Sequence, residues 1–209
     1  MTRMVFFTLC CKSHLLDWVK LGLVLLAVSV TGLAHGQVDG PHAKLRVERL
    51  DDGVWLSAQL AFDLPEPVED ALSKGIPIHF VARAEVFRPR WYWSNKKVAS
   101  AQRRMRLSFH PLTRRWKVNL NSGEAADQGL SLNQQYESLA EALEQIRRLS
   151  RWKVAEGADV EAPAKYLIEF RFELDLGQLP RPLQIGSLGQ ADWQISIAQS
   201  LSLDREAGP

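Results

Sequence analysis

Cysteine is nearly absent from this chain of 209 residues, and the two that occur, Cys10 and Cys11, lie close to the N-terminus. The rest of the sequence has no thiol, which excludes disulfide bonds, thiolate metal sites and cysteine nucleophiles from it. Its fold must therefore be held together by core packing. The remaining stretch of about 170 residues is long enough to form such a core as one domain.

A long hydrophobic run is also missing. The apolar segment Leu21–Val30 has about 10 residues, half of the ~20 that a membrane-spanning helix needs. A net basic segment precedes it, and small residues follow it at the −3 and −1 positions before Gln37. This order is typical of a cleavable signal peptide.

We therefore predict a signal peptide over residues 1–36, export to the periplasm, and a single globular β-rich domain over residues 37–209. The alternative is an N-terminal anchor that is not cleaved. Only in that case would we expect a membrane to be among the partners of the domain.

Signatures of catalysis and of metal binding are lacking as well. The histidines His42, His79 and His110 are scattered and have no partner at a metal-ligand spacing. The sequence contains no G-x-S-x-G nucleophile motif and no glycine-rich phosphate loop. It therefore predicts no catalytic residue, no metal site and no cofactor.

Carboxylates leave one enzymatic alternative open, because spacing along the chain does not determine spacing in the fold. Four acids could converge in three dimensions, as an envelope hydrolase or transferase would require: Glu85, Glu169, Glu173 and Asp175.

Positive charge is concentrated in one stretch of the chain. The formal net charge is only +2, yet between Arg83 and Lys117 many basic residues face a single acid, Glu85. Arginine and aromatic side chains together bind anionic or planar groups by bidentate hydrogen bonds and stacking. We predict a binding surface, the basic–aromatic band, made of Arg83, Arg88, Arg90, Trp91, Trp93, Arg104, Arg106, Arg115 and Lys117.

Export would separate this band from nucleic acid and favours an envelope protein or an anionic envelope component as its partner. The alternative is a solvated sheet face, in which the tryptophans belong to the core and the arginine stems cover it.

Alternation of apolar and polar residues predicts strands in several segments. These are Ala43–Leu50, Val54–Leu64 after a turn at Gly53, Ile76–Val86, a hairpin over Ala101–Leu120, Ala164–Leu176 and Ala191–Leu201, with Arg90–Trp93 also extended.

Helices are fewer. We predict a short one over Pro67–Lys74 and a long amphipathic one over Leu132–Arg151, with a capping box at Ser138 or an earlier start at Ser131. The fold class is therefore mainly β (α+β): an antiparallel β-sandwich or a strongly curved sheet with one long amphipathic helix.

Five longer segments of the sequence together carry a resemblance to a known family. They are Arg83–Trp93, Arg106–Trp116, Ala142–Trp152, Glu169–Phe172 and Leu179–Gln184. They resemble the DUF4390 family of proteobacterial exported proteins of unknown function. The resemblance implies no catalytic residues. It does imply a role accessory to an envelope sensor, since members are encoded near sensor-kinase genes.

The function predicted from the sequence is that of an exported, periplasmic, non-enzymatic binding module that uses the basic–aromatic band. The alternatives are the carboxylate enzyme described above and a β-sandwich that carries lipid between its two sheets.

Overall fold

The computed structural model describes residues 40–92, 94–122, 130–160, 164–187 and 193–203, so the expected signal peptide over residues 1–36 lies outside the described residues. The elements in chain order are β1 His42–Leu50, β2 Gly53–Ala61, α1 Glu66–Ser73, β3 Ile78–Arg88, β4 Lys96–His110, β5 Arg115–Ser122, β6 Leu130–Tyr136, α2 Leu139–Arg147, β7 Arg148–Glu156, β8 Tyr166–Leu174, α3 Arg181–Ser187 and β9 Ser196–Leu203. No helix within the described ranges is long and apolar enough to cross a membrane.

The strands form two antiparallel sheets. The small sheet has the order β1-β2-β7, and the large sheet has the order β6-β5-β4-β3-β8-β9. Their buried faces belong to one hydrophobic core, which makes the arrangement sandwich-like. The predicted mainly-β fold with antiparallel sheets is therefore confirmed.

Aromatic packing lies at the centre of this core. The rings of Phe80 on β3 and Phe172 on β8 stack at 5.6 Å between centroids with 9° between their planes. Phe62, which follows β2, contacts both rings at 5.9 and 5.2 Å. The alternating residues of β3 and β8 bury these rings because every second side chain of a strand points to the same face.

The predicted turn between β1 and β2 is confirmed, and it depends on Gly53. This residue has φ of +149°, and a Cβ added to it would lie 2.2 Å from the carbonyl oxygen of Ala155 on β7. Only glycine fits such a close approach of backbone to backbone.

The long helix expected over Leu132–Arg151 is wrong at both ends. Its first part is the edge strand β6, and the helix begins after Ser138, whose Oγ accepts a hydrogen bond from the Glu141 amide at 3.2 Å. The capping box at Ser138 is thus the correct start, and the earlier one at Ser131 is wrong.

The helix ends at Arg147, and the strand β7 follows it directly. The sequence pattern predicted a helix there because β7 contains a β-bulge. Leu149 pairs with Ala58 and Trp152 pairs with Leu56, so three residues of β7 span two of β2. Arg151 at the bulge has φ of +41°. The resulting apolar spacing of three imitates a helical pattern.

Two smaller expectations also differ from the structure. Trp91 and Tyr92 form a bend instead of the extended chain expected over Arg90–Trp93, because the β3–β4 ladder ends at Arg88 and Lys96. The last strand begins at Ser196 instead of Ala191, after the helix α3, which no pattern above predicted.

The hairpin of β4 and β5 provides a matched test of core packing. Leu107 on β4 is fully buried, whereas Leu112 in the turn is fully exposed. We expect Leu107→Ala to lower the free energy of unfolding by about 2–5 kcal/mol, because it leaves a cavity. Leu112→Ala should change it by less than about 0.5 kcal/mol. Urea unfolding followed by circular dichroism measures both, and equal effects would contradict the described register.

Candidate functional site

The structure divides the basic–aromatic band into two separate groups. Its members on the large sheet all point away from the core: Arg83, Arg104, Arg106, Arg115 and Lys117. Arg88, Arg90 and Trp91 lie at the end of β3 and in the β3–β4 loop, and Trp93 lies outside the described residues. Ten residues of β4 separate Arg106 from Lys96, where the loop ends, a length of about 30 Å.

Strand register brings the first group together. Arg106 lies opposite His79 on β3 and Asn119 on β5. Arg104, two residues earlier, lies opposite Val81 and Asn121 in the same way. Because residues i and i+2 of a strand share a face, both guanidinium groups stand on the outer face of the large sheet. We call this surface, with Arg83, Arg115, Lys117 and Arg171, the basic sheet face.

Arg171 on β8 is a member of this face that the sequence analysis missed. It pairs directly with Arg83 across the β3–β8 ladder. In the sequence it alternates with acids, so it looked like ordinary strand polarity. It is identified by the pairing of β3 with β8, which places Arg171 and Arg83 on the same face of the sheet. This pairing is known only once the two strands are aligned in the structure.

Some cations of this surface are neutralised. Arg83 Nη1 lies 2.5 Å from Glu173 Oε1, and Lys97 Nζ lies 3.1 Å from Glu85 Oε1. Arg115 is paired with Glu137 at 2.9 Å. These side chains are partly exposed, so each pair contributes under ~1 kcal/mol of stability.

Arg104 and Arg106 differ from these residues. Within the part of the chain that the structure describes, neither guanidinium has an acidic partner within salt-bridge distance. Both line a depression of about 300 Å³ together with His79, Asn119, Asn121 and one acid, Asp175. Two arginines therefore outnumber one carboxylate there, and this excess positive charge with the amide groups suits anionic groups.

His79 reports the electrostatics of that depression. Burial lowers the pKa of His79, the positive charge of Arg106 lowers it further, and Asp175 opposes both effects. A neutral imidazole is favoured there because the ring is partly buried and Arg106 adds positive charge beside it.

A second depression, of about 560 Å³, lies on the same sheet. Arg83, Glu85, Glu169 and Arg171 line it, and Glu85 lies directly opposite Glu169 in the β3–β8 ladder. Two of the four acids named from the sequence thus share a concave surface. Acids and arginines alternate there, so this depression lacks the excess positive charge found around Arg104 and Arg106.

Arg103 belongs to the basic stretch of the sequence but not to this surface. It pairs with Ala82, whose side chain is buried, so it points inward. Its guanidinium lies over the ring of Trp152 on β7, at 5.4 Å from the centroid. Burial lowers the pKa of Arg103.

The second group of the band projects into solvent. Trp91 is 92% exposed and Tyr92 is 68% exposed. Their rings contact each other edge to face at 4.8 Å. The alternative in which the band tryptophans serve as core is therefore wrong for Trp91, because the β3–β4 ladder ends before it.

Among the described residues, no group of three or more histidine, cysteine, aspartate or glutamate side chains is placed to hold a metal ion.

Comparison with known proteins identifies a family but no characterised relative. The family model described as a domain of unknown function, DUF4390, matches residues 42–202. No curated protein and no solved structure matches the chain.

The surroundings of His79 generate a pH prediction. Its protonation midpoint, followed by NMR of the ring protons, should lie below the ordinary value of about 6.5. Arg106→Gln should raise the midpoint without restoring that value, because the burial remains. Lys117→Gln, a matched loss of charge on β5, should shift it less.

The same shift has a consequence for stability. As the pH is lowered below ~6.5, the unfolded state takes up this proton before the folded state does. The free energy of unfolding therefore decreases as the pH is lowered, until the pH passes the folded-state pKa of His79. His79→Gln should reduce that dependence. A wild-type midpoint at or above 6.5 would contradict the described environment.

Proposed function

The chain belongs to the DUF4390 family, and we propose that it is an exported periplasmic binding module whose basic sheet face contacts an anionic partner in the cell envelope. In this proposal the chain binds and does not catalyse. The partner is an envelope protein with an acidic surface, such as an envelope sensor, or an anionic envelope component.

One observation carries this proposal: Arg104 and Arg106 share a face of β4, and no acid among the described residues lies within salt-bridge distance of either. A salt-bridged arginine has already lost much of its attraction for an external anion, whereas an unpaired one retains it. Both residues lie on β4, a central strand of the large sheet, so the sheet holds them rigidly. Rigid presentation lowers the entropy lost on binding.

The shape of the surface favours a broad partner. Neighbouring strands lie about 4.8 Å apart and alternate residues of one strand about 7 Å apart, so the cations form a grid instead of converging on one point. Asn119 and Asn133 extend this grid toward the sheet edge, joined by a hydrogen bond of 2.8 Å. Such an array matches a row of carboxylates or phosphates on a large molecule.

The enzymatic alternative has one observation in its favour, since Glu85 and Glu169 line one depression. Glu85, however, is paired with Lys97 at 3.1 Å. An acid that is paired on an open sheet face fits a structural role better than a catalytic one.

For the lipid-carrying alternative, a wide space between the sheets would be needed. The ring contacts of Phe62, Phe80 and Phe172 fill the centre of that space in the described core. This packing favours a module that binds at its surface.

The central experiment is a pull-down from envelope extracts with the wild type and with an Arg104→Glu, Arg106→Glu double variant. We expect the variant to lose its partners, and the remaining binding to depend less on salt, because two attractive charges become repulsive. The fraction retained at several salt concentrations is the measurement.

A matched control exists on the small sheet. Lys44 on β1 and Arg148 on β7 are exposed there on either side of Gln59 of β2, so Lys44→Glu, Arg148→Glu makes the same change of charge on another face. It should leave partner binding unchanged. Identical partners and identical salt dependence for all three proteins would refute the proposal.

The carboxylates generate a separate prediction. Glu85→Gln, Glu169→Gln removes two negative charges beside the basic sheet face, so binding in the same pull-down should be retained or strengthened. A loss of binding, in a variant that unfolds like the wild type, would show that these acids contact the ligand and would favour the enzymatic alternative.

A further inference from the structure

We propose that the β3–β4 loop docks on the surface of an anionic phospholipid bilayer, with the rings of Trp91 and Tyr92 entering the headgroup region. This inference concerns a different surface from the basic sheet face, and it does not depend on the function proposed above.

The exposure of the two rings is the first observation. Trp91 and Tyr92 are the most exposed aromatic side chains named among the described residues, at 92% and 68%. The two rings are in contact, and contiguous exposed apolar groups mark interaction sites, whereas single ones do not. Tryptophan and tyrosine in particular prefer the membrane–water interface, since each ring combines an apolar body with a polar group.

Charge is the second observation. Arg88, Arg90, Lys96 and Lys97 flank the rings, and the sequence contains no acid between Val86 and Lys117. The nearest acid in the sequence, Glu85, is paired with Lys97, so this lysine adds little attraction for an external anion. A cluster of basic residues beside interfacial aromatics matches anionic lipid headgroups, which attract basic residues within about one Debye length.

The shape of the loop favours a bilayer over a protein. Two exposed rings in edge-to-face contact at 4.8 Å form a small aromatic patch. A stable protein interface buries about 1,600 Å² with its aromatic anchors near the centre, surrounded by a rim. A bilayer needs no such rim, because the headgroups close around whatever enters them.

The position of the loop makes it accessible. The ladder between β3 and β4 continues to Lys96, whereas β5 pairs with β4 only from Arg103 onward in the described residues. Every described residue from Arg88 to Lys97 is exposed, so this end of the hairpin is open to solvent.

The test uses the full chain and two kinds of vesicle, one of phosphatidylcholine and one containing about 30% phosphatidylglycerol. We expect preferential flotation with the anionic vesicles, and a Trp91→Ala, Tyr92→Ala variant should lower the partition coefficient at least about ten-fold. Both side chains are exposed, so this variant should unfold at the same urea concentration as the wild type.

The depth to which Trp91 enters the bilayer is measured with lipids that carry brominated acyl chains, because bromine quenches tryptophan fluorescence. The wild type should lose more fluorescence than Trp91→Phe, and the difference isolates Trp91 from the other tryptophans, including any contribution of the N-terminal segment. Leu112→Ala changes an exposed apolar side chain in the turn at the other end of β4 and should leave both readouts unchanged.

Charge is tested by Arg88→Gln, Arg90→Gln, which should weaken binding to the anionic vesicles only. Arg104→Glu, Arg106→Glu should keep the Trp91 quenching, which separates this inference from the basic sheet face. Equal partition of the wild type and the Trp91→Ala, Tyr92→Ala variant would overturn the inference. The inference would also be overturned if the Trp91→Ala, Tyr92→Ala variant kept vesicle binding but lost a protein in the pull-down, since the loop would then be a protein contact.

Discussion

The antiparallel register of β3 with β4 is the constraint on which the rest of the structure depends. Side chains alternate between the two faces of a sheet, so Met105 and Leu107 enter the core while Arg104 and Arg106 face solvent. A slip of one residue would exchange the two sets, burying charge and exposing the core. The basic surface and the hydrophobic core are thus two results of one pattern, and the cost of burying arginine helps to specify the fold.

Arg103 is the exception that clarifies this rule. It lies on the inner face of β4 and yet carries a charge, and its guanidinium stacks over Trp152 of the opposite sheet. Stacking on an aromatic ring recovers part of the hydration that burial removes. The contact joins β4 to β7, so it links the two sheets at a place where a purely apolar side chain would have been expected.

Much of the fold could be predicted from the sequence, because β3 and β8 alternate cleanly and Gly53 and Ser138 mark a turn and a cap. The long helix could not, since the bulge at Arg151 gives β7 an apolar spacing that imitates a helix. The site was predictable only in part. Local charge density revealed Arg104 and Arg106, whereas Arg171 comes from a strand more than sixty residues away and is brought to the surface by pairing alone.

The basic–aromatic band predicted from the sequence is divided into two surfaces in the structure because β4 is long. Ten residues of β4 carry the chain about 30 Å, so Arg106 and Trp91 cannot touch one small ligand, although they are close in sequence. Effects of mutations at this separation are expected to add. Both surfaces nevertheless include residues carried by β3 and β4, without a flexible linker between them. A module that rests on a bilayer through its loop would therefore present its basic face at a nearly constant height, and the search of that face for an anionic partner would be confined to the membrane surface.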